Sequence, residues 1–211
     1  YERFACPIEQ YYGMNETGHI SWTDPDDPPE IAATTVGKPV PGARLRIVDD
    51  EGRLLPDGER GEVVVQTSQM MLGYYRDPDL TAQVFDEEGW FHTGDVGYVG
   101  EDGNLRLVDR KKDVIIRGGQ NIYPAEVEAY LDLHPEIARS GVVGVPDELG
   151  GEAVWAFVQL APGATLTERE VRGYCRGMIA SFKVPGEVRF VDQIPLSVTD
   201  KVQRYKLREM A

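Results

Sequence analysis

In the first half of the chain the apolar residues fall into short runs separated by turn-forming clusters, which is a strand pattern. Leu45 and Ile47 alternate with arginines, and Val63-Val64-Val65 follows as a continuous β-branched run. Between them stand Asp49-Asp50-Glu51-Gly52 and Pro56-Asp57-Gly58, whose residues favour turns. Tyr98-Val99 and Leu105-Arg106-Leu107-Val108 flank Glu101-Asp102-Gly103-Asn104, which predicts a hairpin. Asp24 to Glu30 holds three prolines and four acids and predicts an exposed loop.

After Asp109 the spacing lengthens. Val114-Ile115-Ile116 predicts a short buried strand. Pro124 opens an amphipathic helix over Ala125 to Leu133, with Val127, Tyr130 and Leu131 on one face. Gly141 to Val145 and Ala153 to Leu160 predict two strands joined by a turn over Pro146 to Gly151. Thr167, with Glu170 three residues on, predicts a capping box opening a helix of about 14 residues. A strand over Val188 to Val191 precedes a basic tail, Lys201 to Arg208. The expected fold class is α+β: a β-rich part over residues 1–109, then a compact module over 110–211 with a three-stranded sheet and flanking helices.

Composition sharpens the division. Residues 1–109 carry 8 basic and 22 acidic side chains, whereas 110–211 carry 14 of each, so the whole net charge of −14 lies in the first part. So acidic a surface disfavours nonspecific binding to nucleic acid or anionic membrane. No run approaches the roughly 18 apolar residues of a membrane span. Two distant cysteines, Cys6 and Cys175, do not make a disulfide framework, which favours a reducing, cytoplasmic setting. The start at Tyr1, without methionine, leads us to expect a piece of a longer protein.

Three stretches could carry chemistry. In Gly89-Trp90-Phe91-His92-Thr93-Gly94-Asp95, the aspartate could accept two hydrogen bonds from a vicinal diol, or could hold its own turn. Asp109-Arg110-Lys111-Lys112-Asp113 suits a nucleotide phosphate or a solvated linker of mixed charge. The pair Gly118-Gly119 allows close approach of a ligand, or merely a turn. Lys201 alone is an ordinary surface lysine. His19, His92 and His134 lack zinc-ligand spacing, and neither a Gly-x-x-x-x-Gly-Lys loop nor a Gly-x-Ser-x-Gly elbow occurs.

Taken in order, these stretches resemble the adenylate-forming superfamily of acyl-CoA synthetases, peptide-synthetase adenylation domains and luciferases. Tyr12-Gly13-Met14-Asn15-Glu16 resembles its Tyr-Gly-x-Thr-Glu motif. Gly61-Glu62 through Gly73-Tyr74 and Gly89-Trp90 through Asp95 resemble the next two motifs. The most specific likeness is Asp109-Arg110-Lys111-Lys112-Asp113 through Gly118-Gly119-Gln120-Asn121-Ile122-Tyr123-Pro124-Ala125-Glu126-Val127-Glu128, whose wording is that of synthetases for fatty or aromatic acids.

The resemblance implies ATP, Mg²⁺ and CoA as small-molecule partners of a carboxylic acid, and it is compatible with a homodimer. It implies that Tyr12 packs on adenine, Glu16 binds Mg²⁺, Asn15 stands near the α-phosphate, and Asp95 binds the ribose hydroxyls. Arg110 would contact ribose or phosphate, and Asp109 would be the hinge of a mobile C-terminal domain. Gly119 would border the thiol channel, and Lys201 would bridge acyl carboxylate and phosphate. The resemblance also implies that the family's phosphate loop and acyl pocket precede residue 1. Asn15 stands where threonine is usual, and Asp200 stands where a glycine usually precedes the lysine. A non-catalytic nucleotide-binding module and a carrier-protein adenylation enzyme are the alternative readings.

Overall fold

The computed structural model describes residues 6–147 and 151–211, and the chain divides into two compact units, Tyr1–Lys111 and Lys112–Ala211. In order, the first contains β1 (Tyr11–Met14), β2 (Gly18–Trp22), α1 (Pro29–Thr34), β3 (Lys38–Pro39), β4 (Arg44–Val48), β5 (Gly61–Gln66), α2 (Pro78–Val84), β6 (Phe91–Val99) and β7 (Leu105–Arg110). A 3-10 turn, Lys111–Asp113, spans the junction. The second contains β8 (Ile115–Arg117), β9 (Gln120–Ile122), α3 (Pro124–Leu131), β10 (Ile137–Asp147), β11 (Gly151–Leu160), α4 (Glu168–Cys175), β12 (Glu187–Phe190) and α5 (Arg204–Met210).

In the first unit β4-β5-β6-β7 form an antiparallel meander, and β1-β2-β3 a smaller antiparallel sheet. The valine run lies in β5, where period-2 alternation divides it between two faces. Val63 and Val65 join Tyr12, Ile20, Ile47, Phe91 and Leu105 in the main core, while Val64 meets Val48 and Trp90 on the other side. The indole of Trp90 lies beneath the guanidinium of Arg46, 4.2 Å from the ring centre. The predicted β6–β7 hairpin forms. In its turn Asp102 accepts from both terminal nitrogens of Arg106 at 2.8 Å, which holds its carboxyl well below the usual carboxylate range.

In the second unit β10 and β11 pair over their whole length, and β12 runs parallel beside β11. The β8–β9 hairpin joins β11 on the same edge as β12, at the start of the strand, through Arg117 and Gly151. The sheet thus has five strands where three were expected, because the short β8–β9 hairpin extends the expected trio. One face packs α3 and α4 through Val127, Leu131, Val171 and Cys175. The other packs α5 through Leu207 against Val143 and Phe157. Gly141 permits this approach, since a Cβ there would lie 2.5 Å from Leu207 Cδ1.

Other expectations shift. The acidic loop ends early because Pro29, well suited to a first helical turn, opens α1. In β8 only Ile115 is buried, and Ile116, on the opposite face, is 56% exposed. Helix α3 stops at Leu131. Helix α4 has its capping box but runs only to Cys175, as Arg176 turns extended and Gly177 takes φ +78°. The basic tail folds into α5, anchored by Leu207. Of the turn expected over Pro146 to Gly151, residues 148–150 lie outside the described residues.

Candidate nucleotide site and the lysine hairpin

In the first unit, Asp95 and Arg110 pair across the β6–β7 ladder. Arg110 Nε lies 2.8 Å from Asp95 Oδ1, and the Tyr12 hydroxyl donates to Oδ2 at 2.7 Å. The backbone N–H of Asp95 donates to Thr93 Oγ1, which itself donates to the carbonyl of Val63, so this stretch of β6 is tied to β5. Tyr12 is only 8% exposed; burial, and then the Asp95 charge, push its phenol far above the ordinary tyrosine value. It therefore stays a neutral donor. Arg110 and Tyr12 thus meet the Asp95 carboxylate one on each oxygen, an arrangement whose further lone pairs can accept from a vicinal diol.

Beside this trio sits Glu62, buried on β5 and missed as a functional group by sequence reasoning. It accepts from Lys111 Nζ at 3.0 Å, from His92 Nδ1 at 3.2 Å and from the Gly94 N–H at 3.2 Å. Lys111 also pairs with Asp50 at 3.0 Å. Burial raises the Glu62 carboxyl, but Lys111 and His92 outweigh it and leave it below the usual value. Glu62 thus holds both neighbours of the Asp95–Arg110 pair, Gly94 on one strand and Lys111 after the other. The available signal was a lone acid inside an apolar strand.

The turn after β1 carries Asn15, exposed, and Glu16, half-buried. Tyr74 donates its hydroxyl to Glu16 Oε1 at 3.3 Å, and the Met71 N–H donates to the Glu16 carbonyl at 2.7 Å. Two of the quoted motifs, 12–16 and 61–74, thereby meet. A single carboxylate on a turn fits Mg²⁺, which usually takes one or two protein carboxylates and fills its octahedron with phosphate and water. Among the described residues no cluster of three or more His, Cys, Asp or Glu could hold a metal by itself.

Asp109, the expected hinge, lies in β7 opposite Val96, and its Oδ1 accepts from the Arg110 N–H. The two units part after Lys111, two residues further on. In the second unit Gly118 and Gly119 both adopt positive φ, +56° and +77°, and a Cβ at either would meet nothing within 4 Å. Lys201 is exposed on a hairpin closed by pairing of Leu196 with Val202. Asp200 before it takes φ +61° and pairs with Arg139 at 2.9 Å. A cleft of about 560 Å³ is lined by Arg117, Arg172, Arg176, Ser181 and Gly186 among others. The Nε of Arg172 is buried without a hydrogen-bond partner among the described residues. No helix among them is long and apolar enough to cross a membrane.

Comparison with known proteins converges on one family. Residues 1–75 match the AMP-binding enzyme model and residues 126–201 the AMP-binding enzyme C-terminal domain model. The chain is 42% identical over 207 residues to a fatty acid–[acyl-carrier-protein] ligase of Streptomyces coeruleorubidus, covering 97% of this chain and 40% of that protein. It is also 42% identical to a 2-succinylbenzoate–CoA ligase of Geobacillus kaustophilus, covering 98% and 42%. The ATP-bound structure of MatB from Rhodopseudomonas palustris superposes with a TM-score of 0.90 at 37% identity, covering 96% and 40%. The chain thus spans about two-fifths of the length of these relatives. With its motifs, both domain models and its fold in agreement, the chain belongs to the AMP-binding, adenylate-forming enzymes.

Proposed function

We propose that this chain is part of an ATP-dependent acid–thiol ligase, which activates a fatty or aromatic carboxylic acid as an acyl-adenylate and transfers the acyl group to CoA. The observation that carries the reading is the buried Asp95 carboxylate held between the Tyr12 hydroxyl and the Arg110 guanidinium. A carboxylate so fixed accepts from the 2′- and 3′-hydroxyls of ATP without reorganising, and Arg110 adds positive charge beside ribose and phosphate. Tyr12 orients that carboxylate and contacts adenine, and Asn15 offers an amide N–H₂ near the α-phosphate. Bound at Glu16, Mg²⁺ supplies charge neutralisation for the phosphates.

In the first half-reaction a carboxylate oxygen of the acid attacks the α-phosphorus and pyrophosphate departs. Lys201, a compact cation, meets the charge that builds on both groups. In the second, the CoA thiolate attacks the acyl carbonyl and AMP leaves with the bonding electrons. Gly119 borders the thiol path. The cleft of Arg117, Arg172 and Arg176 suits the phosphates of CoA, since guanidinium forks match phosphate oxygens.

The smaller unit changes orientation between the steps. Asp109 is held in a ladder and Lys111 is clamped by Glu62 and Asp50, so the ladder favours a pivot at the Lys111–Lys112 junction over one at Asp109. A carrier-protein thiol as acceptor is favoured by one observation, the ligase of that kind among the relatives.

The test uses the full-length protein that contains this chain. Pyrophosphate release and thioester formation are measured with a panel of fatty and aromatic acids, and with CoA or carrier protein as acceptor. Lys201→Ala is expected to slow adenylation about a hundredfold or more while thioester formation from supplied acyl-adenylate survives. Absence of pyrophosphate release with every acid, or unchanged adenylation in Lys201→Ala, overturns the reading.

A further inference from the structure

The hairpin bearing Lys201 has an unusual support. Its turn runs from Ser197 to Asp200, with the Asp200 N–H donating to the Ser197 carbonyl at 3.0 Å and the Ser197 N–H to the Lys201 carbonyl at 2.8 Å. Asp200 therefore occupies the left-handed position of a bulged hairpin, at φ +61°. Glycine takes that conformation freely, whereas a residue with a Cβ does so at a cost.

Arg139 meets this residue twice. Its Nη2 donates to Asp200 Oδ2 at 2.9 Å, and its Nη1 to the main-chain carbonyl of Asp200 at 3.3 Å. That carbonyl belongs to the peptide unit joining Asp200 to Lys201. Arg139 itself stands on β10 opposite Gln159 of β11, in the longest ladder of the unit. We infer that Arg139 is a positioning residue for Lys201: through Asp200 it fixes the peptide plane from which the lysine side chain departs. The clamp also turns the Asp200 carboxylate toward a guanidinium, so that it does not neutralise the neighbouring ammonium. A glycine at 200 would need no such partner, which accounts for an arginine and an aspartate acting together here. The inference rests on the adenylation role proposed for Lys201.

Arg139→Met keeps the apolar stem and removes every donor. In the full-length protein it is expected to lower kcat of adenylation about fivefold, the upper end for an exposed ion pair, with KM for ATP unchanged and thioester formation from acyl-adenylate intact. Adding Asp200→Gly to Arg139→Met should restore most of the rate, because glycine holds the left-handed turn unaided. In the 211-residue chain, Arg139→Met should speed hydrogen exchange of the Asp200 amide several-fold and leave the β10–β11 amides unchanged. Unchanged adenylation, equal loss of both half-reactions, or no rescue by glycine overturns the inference. If the wild-type protein forms no acyl-adenylate with any acid, the proposed function fails instead, and the Asp200 amide alone decides whether the clamp exists.

Discussion

Replacing Glu62 by glutamine removes one negative charge at almost constant volume from the carboxylate that joins β5, β6 and the end of β7. Three donors reach it at 3.0 to 3.2 Å, and its side chain is only 8% exposed. Breaking a fully buried ion pair costs about 3–5 kcal/mol, because it strands the partner charge. Here Lys111 is 42% exposed and keeps Asp50, so its charge is not stranded. Glutamine also retains an acceptor for one donor, and a hydrogen bond to a charged group is worth about 1.5–3 kcal/mol. The expected loss at pH 7 is therefore about 1–2 kcal/mol.

Its pH dependence has a definite sign. Lys111 and His92 hold the folded-state carboxyl below its unfolded value of about 4.3, so the stabilisation is fully present above that value and disappears as pH falls through the lower, folded one. Urea unfolding can be followed by fluorescence in a Trp155→Phe background, which leaves Trp22 and Trp90 of the first unit as reporters. The gap between wild type and Glu62→Gln should be constant above that unfolded value, begin to shrink as pH falls below it, and close as pH passes the lower, folded one. A gap that persists undiminished in acid would mean packing rather than charge. Equal stability at pH 7 would deny Glu62 its bracing role.

Three further outcomes are expected. Gly119→Leu has open space for the side chain but must hold φ +77°, so it should destabilise the second unit by about 1–2 kcal/mol in urea; in the full-length protein it should slow thioester formation more than adenylation, and equal effects would leave the glycine a turn residue only. Thr167→Ala removes a capping box in which Thr167 and Glu170 each accept from the other's N–H, and should cost about 1 kcal/mol by the same measurement, with no change counting against the cap. Cys175 is fully buried and its thiol is pushed up to about 11, whereas Cys6 is exposed, so a thiol reagent at pH 8 should label one cysteine in the native chain and two after denaturation. Two fast-reacting thiols in the native protein would contradict the packing of α4.

Elements whose cause is local were legible along the chain. Val63-Val64-Val65 form a buried strand because β-branched side chains suit a pleated surface, Pro124 opens α3, and Thr167 with Glu170 caps α4; each depends on residues within a few positions. Helix α5 was not legible: seven residues with one buried side chain give no periodicity, and it is helical because Leu207 finds Val143 and Phe157 on a sheet built 50 to 64 residues earlier. The same division runs through the site. Asp95 and Arg110 stand out as chemistry-bearing residues in the one-dimensional pattern, but that they are partners follows from the β6–β7 register. From the sequence alone the Asp200 carboxylate has two candidate surroundings, its neighbour Lys201 or water. Only the tertiary structure decided otherwise, because hairpin closure imposes φ +61° on Asp200 and the β10 ladder brings Arg139, 61 positions away, to its carboxylate.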